Sequence, residues 1–68
     1  MEVFKIKDEY IQLNQLIKAM GWCGNGAEAN TMIDAGLVKV NGVVEYRKRN
    51  KIVTGFIVEV NNQKVKIE

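Results

Sequence analysis

Residues 36–44 read Gly-Leu-Val-Lys-Val-Asn-Gly-Val-Val, and this stretch decides the fold. Val38 and Val40 flank Lys39, Asn41-Gly42 follows, and Val43-Val44-Glu45 continues beyond it. Alternation with period two marks a half-buried strand. An Asn-Gly pair accepts the positive φ that both central positions of a type I′ turn require, so two strands joined by a two-residue hairpin are expected. That register sets Val38 opposite Glu45, an acid on an otherwise apolar face, so a bulge or a frayed end is expected near Glu45.

Downstream, Asn61-Asn62 reads as the turn of a second hairpin. It pairs Val60 with Gln63, Val58 with Val65 and Phe56 with Ile67, gathering Phe56, Val58, Val65 and Ile67 on one face. Glu59 then lies opposite Lys64 on the other face, a pair worth at best a few tenths of a kcal/mol. Thr54-Gly55 separates this hairpin from Ile52-Val53, a short apolar piece that anchors the preceding residues to the core.

Upstream the period changes. Leu13, Leu16, Ile17 and Met20 fall at i, i+3, i+4 and i+7, the stripe of a helix over 13–20, with Gly21 as its stop. Ala29, Met32 and Ile33 predict a second helix over 27–35 closed by Gly36, and Ala27, Ala29 and Ala35 let the two approach closely. Before them, Phe4 and Ile6 alternate with Lys5 and Lys7, predicting a strand over 2–7. The expected fold is α+β, two short helices packed against a small, mostly antiparallel sheet.

The 68 residues are 47% apolar and 26% charged, which suits one small globular domain over 1–68. Cys23 is the only cysteine and cannot close an intrachain disulfide, so a reducing, cytoplasmic setting is expected. No apolar run approaches the roughly 18 residues of a spanning helix, and no basic-then-apolar leader opens the chain, so no membrane partner is expected. The absence of His and the single thiol argue against a metal site, a cofactor and an enzyme. Asp8 and Glu9 are adjacent, and adjacent carboxylates rarely converge on one substrate atom.

Charge is unevenly placed. Residues 47–51 read Arg-Lys-Arg-Asn-Lys and hold four of the ten cationic side chains, leaving six against eight acids elsewhere. That is +4 in five residues against −2 on the remainder. Arg47, Lys48, Arg49 and Lys51 can each meet a different phosphate, with Arg binding bidentately; a solvated loop or attachment to anionic lipid is the alternative. Lys39 can extend the patch from the first hairpin, or serve only solubility. Gly24-Asn25-Gly26, opening the second helix, can offer backbone N–H groups to a phosphate or merely connect two helices. Gln12, Asn14, Asn30 and Thr31 can hydrogen-bond sugar or phosphate, or be solvated. Tyr46 abuts the basic run and can stack on an unpaired base or pack. Trp22, beside the glycines after the helix stop, can pack in the core or stand exposed to stack on a base. Tyr10, Phe4 and Phe56 are assigned to packing, and Cys23 to a small buried apolar role.

The chain resembles the small RNA-binding domain named after ribosomal protein S-four, the alpha-L motif. The resemblance rests on Leu13, Leu16, Ile17 and Gly21, on Gly26-Ala27-Glu28-Ala29 with Met32-Ile33, and on residues 36–42. Arg47, Lys51, Ile52 and Gly55 extend it, so it covers about residues 10–60. Family members commonly place a hydroxyl near the start of the second helix and a basic residue on its exposed side. Here Gly24-Asn25-Gly26 and Asn30 stand there, and Gly55-Phe56 replaces the usual Gly-Asp. The resemblance implies a non-catalytic, monomeric module that binds structured ribosomal or transfer RNA through the helix pair and the hairpin. It further implies ribosome assembly or translation as the process, with ribosomal proteins as further partners. The rival expectation is a protein-interaction module docking through its basic loop on an acidic or ribosomal partner.

Overall fold

In the computed structural model, which describes residues 1–68, Asn41 takes φ +53° and Gly42 φ +85°, as the type I′ turn demands. The elements are β1 (Glu2–Phe4), β2 (Ile11–Gln12), α1 (Leu13–Ala19), α2 (Gly26–Asp34), β3 (Val38–Val40), β4 (Val43–Val44), β5 (Lys51–Ile52), β6 (Ile57–Val60) and β7 (Gln63–Ile67). The fold is α+β, as expected. Five strands form one sheet in the order β1-β7-β6-β3-β4, and β2 pairs with β5 in a separate ribbon.

Both hairpins keep their expected registers. Val40 faces Val43 and Lys39 faces Val44 across the first turn. The Glu45 N–H still donates to the Val38 carbonyl at 2.9 Å, so the pairing reaches Glu45 without the bulge or frayed end expected there. In the second, Val60 faces Gln63, Val58 faces Val65 and Glu59 faces Lys64, with Asn61 at φ +55° in the turn. The hairpins join through β3 and β6, where Val38 faces Val60 and Val40 faces Val58. The strand expected over 2–7 is shorter: β1 ends at Phe4 and pairs in parallel with β7, Phe4 facing Ile67. Beyond Phe4 the chain leaves the sheet edge and only the Ile6 N–H returns, donating to the Glu68 carbonyl at 2.9 Å.

The core is one cluster. Leu13, Leu16 and Ile17 of α1 and Ala29 and Ile33 of α2 meet Val38, Val40, Val58, Val60, Val65, Ile67 and Ile52. Met20, Trp22, Cys23, Phe4 and Phe56 pack half-buried at its edge. Met20 caps α1 instead of extending it, because Gly21 at φ +74° turns the chain out. Asn25 likewise shifts α2 one residue toward the N-terminus by acting as its cap. Both helices cover one face of the sheet and leave the other face open.

Candidate nucleic-acid interface

The basic run is tied down. β2 and β5 pair Ile11 with Ile52 and Gln12 with Lys51, drawing residues 47–51 against the start of α1. The Leu13 N–H donates to the Asn50 carbonyl and the Asn14 N–H to the Lys48 carbonyl, both at 2.9 Å. Gln12, the N-cap of α1, offers no side-chain cap, so the loop's carbonyls satisfy N–H groups that every helix start leaves unpaired. Within the loop the Asn50 N–H donates to the Arg47 carbonyl at 3.2 Å, which sets Lys48 and Arg49 at the corners of a turn. Four cations are thereby mounted on a helix end.

Two carboxylates temper that charge. Glu45, just past the end of β4, accepts from the Arg47 backbone N–H, from Arg47 Nε and Nη2, and from Asn50 Nδ2, each at 3.0 Å. The Arg47 side-chain hydrogen bonds hold the Glu45 carboxyl below its ordinary value of 4.5, against burial, which pushes it up. The same pairing pushes the Arg47 guanidinium up, while its side chain stays 75% exposed and open to a second partner. Lys48 Nζ lies 3.1 Å from Asp34 Oδ2 in the last turn of α2. Arg49 and Lys51 are the two loop cations with no carboxylate beside them. The +4 read along the chain is therefore halved by Glu45 and Asp34.

Tyr10 is a correction. Instead of packing, the residue is 39% exposed, with Lys51 Nζ 5.0 Å from the centroid of its ring. Pairing of β2 with β5 brings residue 10 beside residue 51, and no local spacing announces such a contact. Tyr46 is 62% exposed, and its hydroxyl sits where a Cβ on Gly36 would meet it at 3.2 Å.

No side-chain hydrogen bond or ion pair joins the other expected residues to the loop's cations. Asn30 is half-buried, not on an open helix face, because its Oδ1 accepts from Asn14 Nδ2 at 3.2 Å and links α1 to α2. At the start of α2, Asn25 Oδ1 accepts from the Glu28 N–H at 2.9 Å and Glu28 Oε2 accepts from the Gly24 N–H at 3.2 Å. The Gly24 amide is thus occupied by a carboxylate that would repel phosphate, so Gly24-Asn25-Gly26 works as a helix cap. From there to Asp34, which holds Lys48, α2 rises about 12 Å. Lys39 faces Glu59 and Val44 across the sheet and alternates with buried Val38 and Val40, so it projects from the face opposite the helices. No group of three or more His, Cys, Asp or Glu side chains is placed to hold a metal ion.

This arrangement has relatives. Residues 4–68 match the model of a family described as the S4 domain. The chain belongs to the S4 domain family. An S4 relative named "Putative RNA-binding protein YbcJ" from Escherichia coli K12 is 43% identical over 61 residues, covering 90% of this chain and 87% of that protein. A Shigella flexneri protein, "Uncharacterized protein YbcJ", matches to the same extent. The solution structure of E. coli YbcJ, described as revealing an alfaL motif involved in RNA-binding, superposes with a TM-score of 0.74 at 41% identity. That superposition covers 98% of this chain and 86% of the YbcJ chain, so this S4 domain is an alpha-L fold throughout.

Proposed function

We propose that this chain is a non-catalytic RNA-binding protein that recognises structured ribosomal or transfer RNA through residues 47–51 and the helix start they cap. The observation that carries the reading is the pair of backbone hydrogen bonds from Leu13 and Asn14 to the loop. A loop already ordered before binding loses little conformational freedom when phosphates arrive, so more of each contact appears as affinity. Arg49 and Lys51 meet phosphates directly, Arg47 shares its exposed guanidinium between Glu45 and RNA, and Lys48 acts as a strut to Asp34. Shape and phosphate contacts dominate over base-edge readout, as suits a folded RNA with deep grooves. The family and the YbcJ relatives point the same way. Ribosome assembly or translation is the process, the cytoplasm the place, and a monomer the working form; no helix is long and apolar enough to cross a membrane.

The test is fluorescence anisotropy against a stable RNA hairpin over a salt series. Affinity should fall linearly in log K against log salt, with about 0.7–0.9 units of slope per phosphate contact. Salt-independent binding, or capture of an acidic protein with no RNA retained, would reject the reading.

A further inference from the structure

Next to the basic loop lies a cavity of about 270 Å³ that the phosphate-binding reading leaves unused. It forms because the chain leaves the sheet after Phe4 and rejoins the structure at Ile11, arching between the two. Phe4, Ile6 and Ile11 give it an apolar lining, Tyr10 an aromatic wall, and Lys5 and Lys7 two cations. Asp8 and Gln15 complete it, and neither side chain is used in a hydrogen bond or ion pair within the chain. Lys51 covers one face of the Tyr10 ring and is absent from the lining, so it connects the cavity to the loop without filling it.

We infer that this cavity binds one unpaired nucleotide of the RNA held on the basic loop, a proposal that rests on the RNA-binding reading above. At about 270 Å³ the cavity falls just short of the roughly 300–1,000 Å³ of pockets that enclose drug-sized ligands, so it has room for the base of one nucleotide, with sugar and phosphate outside, and excludes a paired stem. The base stacks on Tyr10 over the apolar lining, which any base can do. Its edge meets Asp8, an acceptor, and Gln15, which both donates and accepts. A carboxylate accepts from the exocyclic amines of guanine, adenine or cytosine, whereas uracil offers one N–H flanked by two carbonyl oxygens that the charge repels. Lys5, Lys7 and Lys51 receive the flanking phosphates. The site adds base preference to a face that otherwise reads shape.

Two measurements on the full chain test this. In the first, ¹H–¹⁵N spectra are recorded during titration with GMP, AMP, CMP and UMP. Shifts should cluster at residues 4–11 and 15 with the three amino-bearing nucleotides and be weakest with UMP. In the second, anisotropy compares a blunt RNA hairpin with the same hairpin carrying a short unpaired tail. The tail should tighten binding by about tenfold through stacking. Tyr10→Ala should erase the difference between the two RNAs, Tyr10→Phe should keep it, and Asp8→Asn should remove the discrimination against UMP. Absence of nucleotide shifts around the cavity, or equal wild-type affinity for the two RNAs, overturns the nucleotide site and leaves the RNA-binding reading standing. Nucleotide shifts without salt-dependent binding of either hairpin overturn the RNA-binding reading instead.

Discussion

Replacing Arg49 and Lys51 together by Ala separates the cations that are free to meet phosphate from those already engaged. Both side chains are exposed and lack a carboxylate partner, so each is available for one phosphate contact. At about 0.7–0.9 units of log–log slope per contact, losing both lowers the slope by about 1.5. Between about 50 and about 200 mM salt the wild type then loses roughly tenfold more affinity than the double variant. Lys48→Ala is the internal control. Its ammonium is held by Asp34, so phosphate binding there exchanges one anionic partner for another, and the slope should hardly move. The assay is RNA-hairpin anisotropy across the salt series, with urea unfolding as a check that surface substitutions stay within about 0.5 kcal/mol of wild type. An unchanged slope in Arg49→Ala/Lys51→Ala, or an equal fall in Lys48→Ala alone, refutes the assignment of free and engaged cations.

Asp34→Asn should act in the opposite direction, releasing Lys48 and steepening the salt dependence by up to one contact, about 0.7–0.9 units. Its effect on urea unfolding should stay small, because exposed ion pairs are worth about 0–1 kcal/mol. Glu45 links loop order to pH: its folded-state carboxyl titrates below the ordinary 4.5, so its stabilising contribution is fully present above that value. That contribution is lost as pH falls through the folded value, so the stability gap between wild type and Glu45→Gln should narrow on acidification, as urea midpoints across the acid range would show. Gly36→Ala should cost about 1–2 kcal/mol, because φ +76° is a left-handed conformation and the new Cβ would crowd the Tyr46 hydroxyl. Gly26→Ala, at the first position of α2 with nothing within 4 Å, should instead stabilise by about 0.4–1 kcal/mol; equal costs at the two sites in urea unfolding would contradict this backbone account.

Local patterns carried most of the fold. Asn41-Gly42, the stripe of Leu13, Leu16 and Ile17, and the register of Val58 on Val65 are properties of neighbouring residues, so spacing and turn chemistry suffice to read them. The contiguous cations of residues 47–51 were visible for the same reason. What required the tertiary structure was everything set by distant partners. β1 pairs with β7 and β3 with β6 across about 60 and about 20 residues of chain, separations at which no turn chemistry sets the register. A sequence counts charges without their neighbours, and folding placed Glu45 on Arg47 and Asp34 on Lys48, leaving Arg49 and Lys51 free. The β2–β5 ribbon likewise set Tyr10 against Lys51 in place of an expected packing role and made the basic loop the cap of α1. Sequence by itself determined the two helices, the two hairpins and the sign of the charge on the loop. Tertiary structure decided which side chains bear it freely, because Coulomb and hydrogen-bond partners are chosen by distance in space and not by separation along the chain.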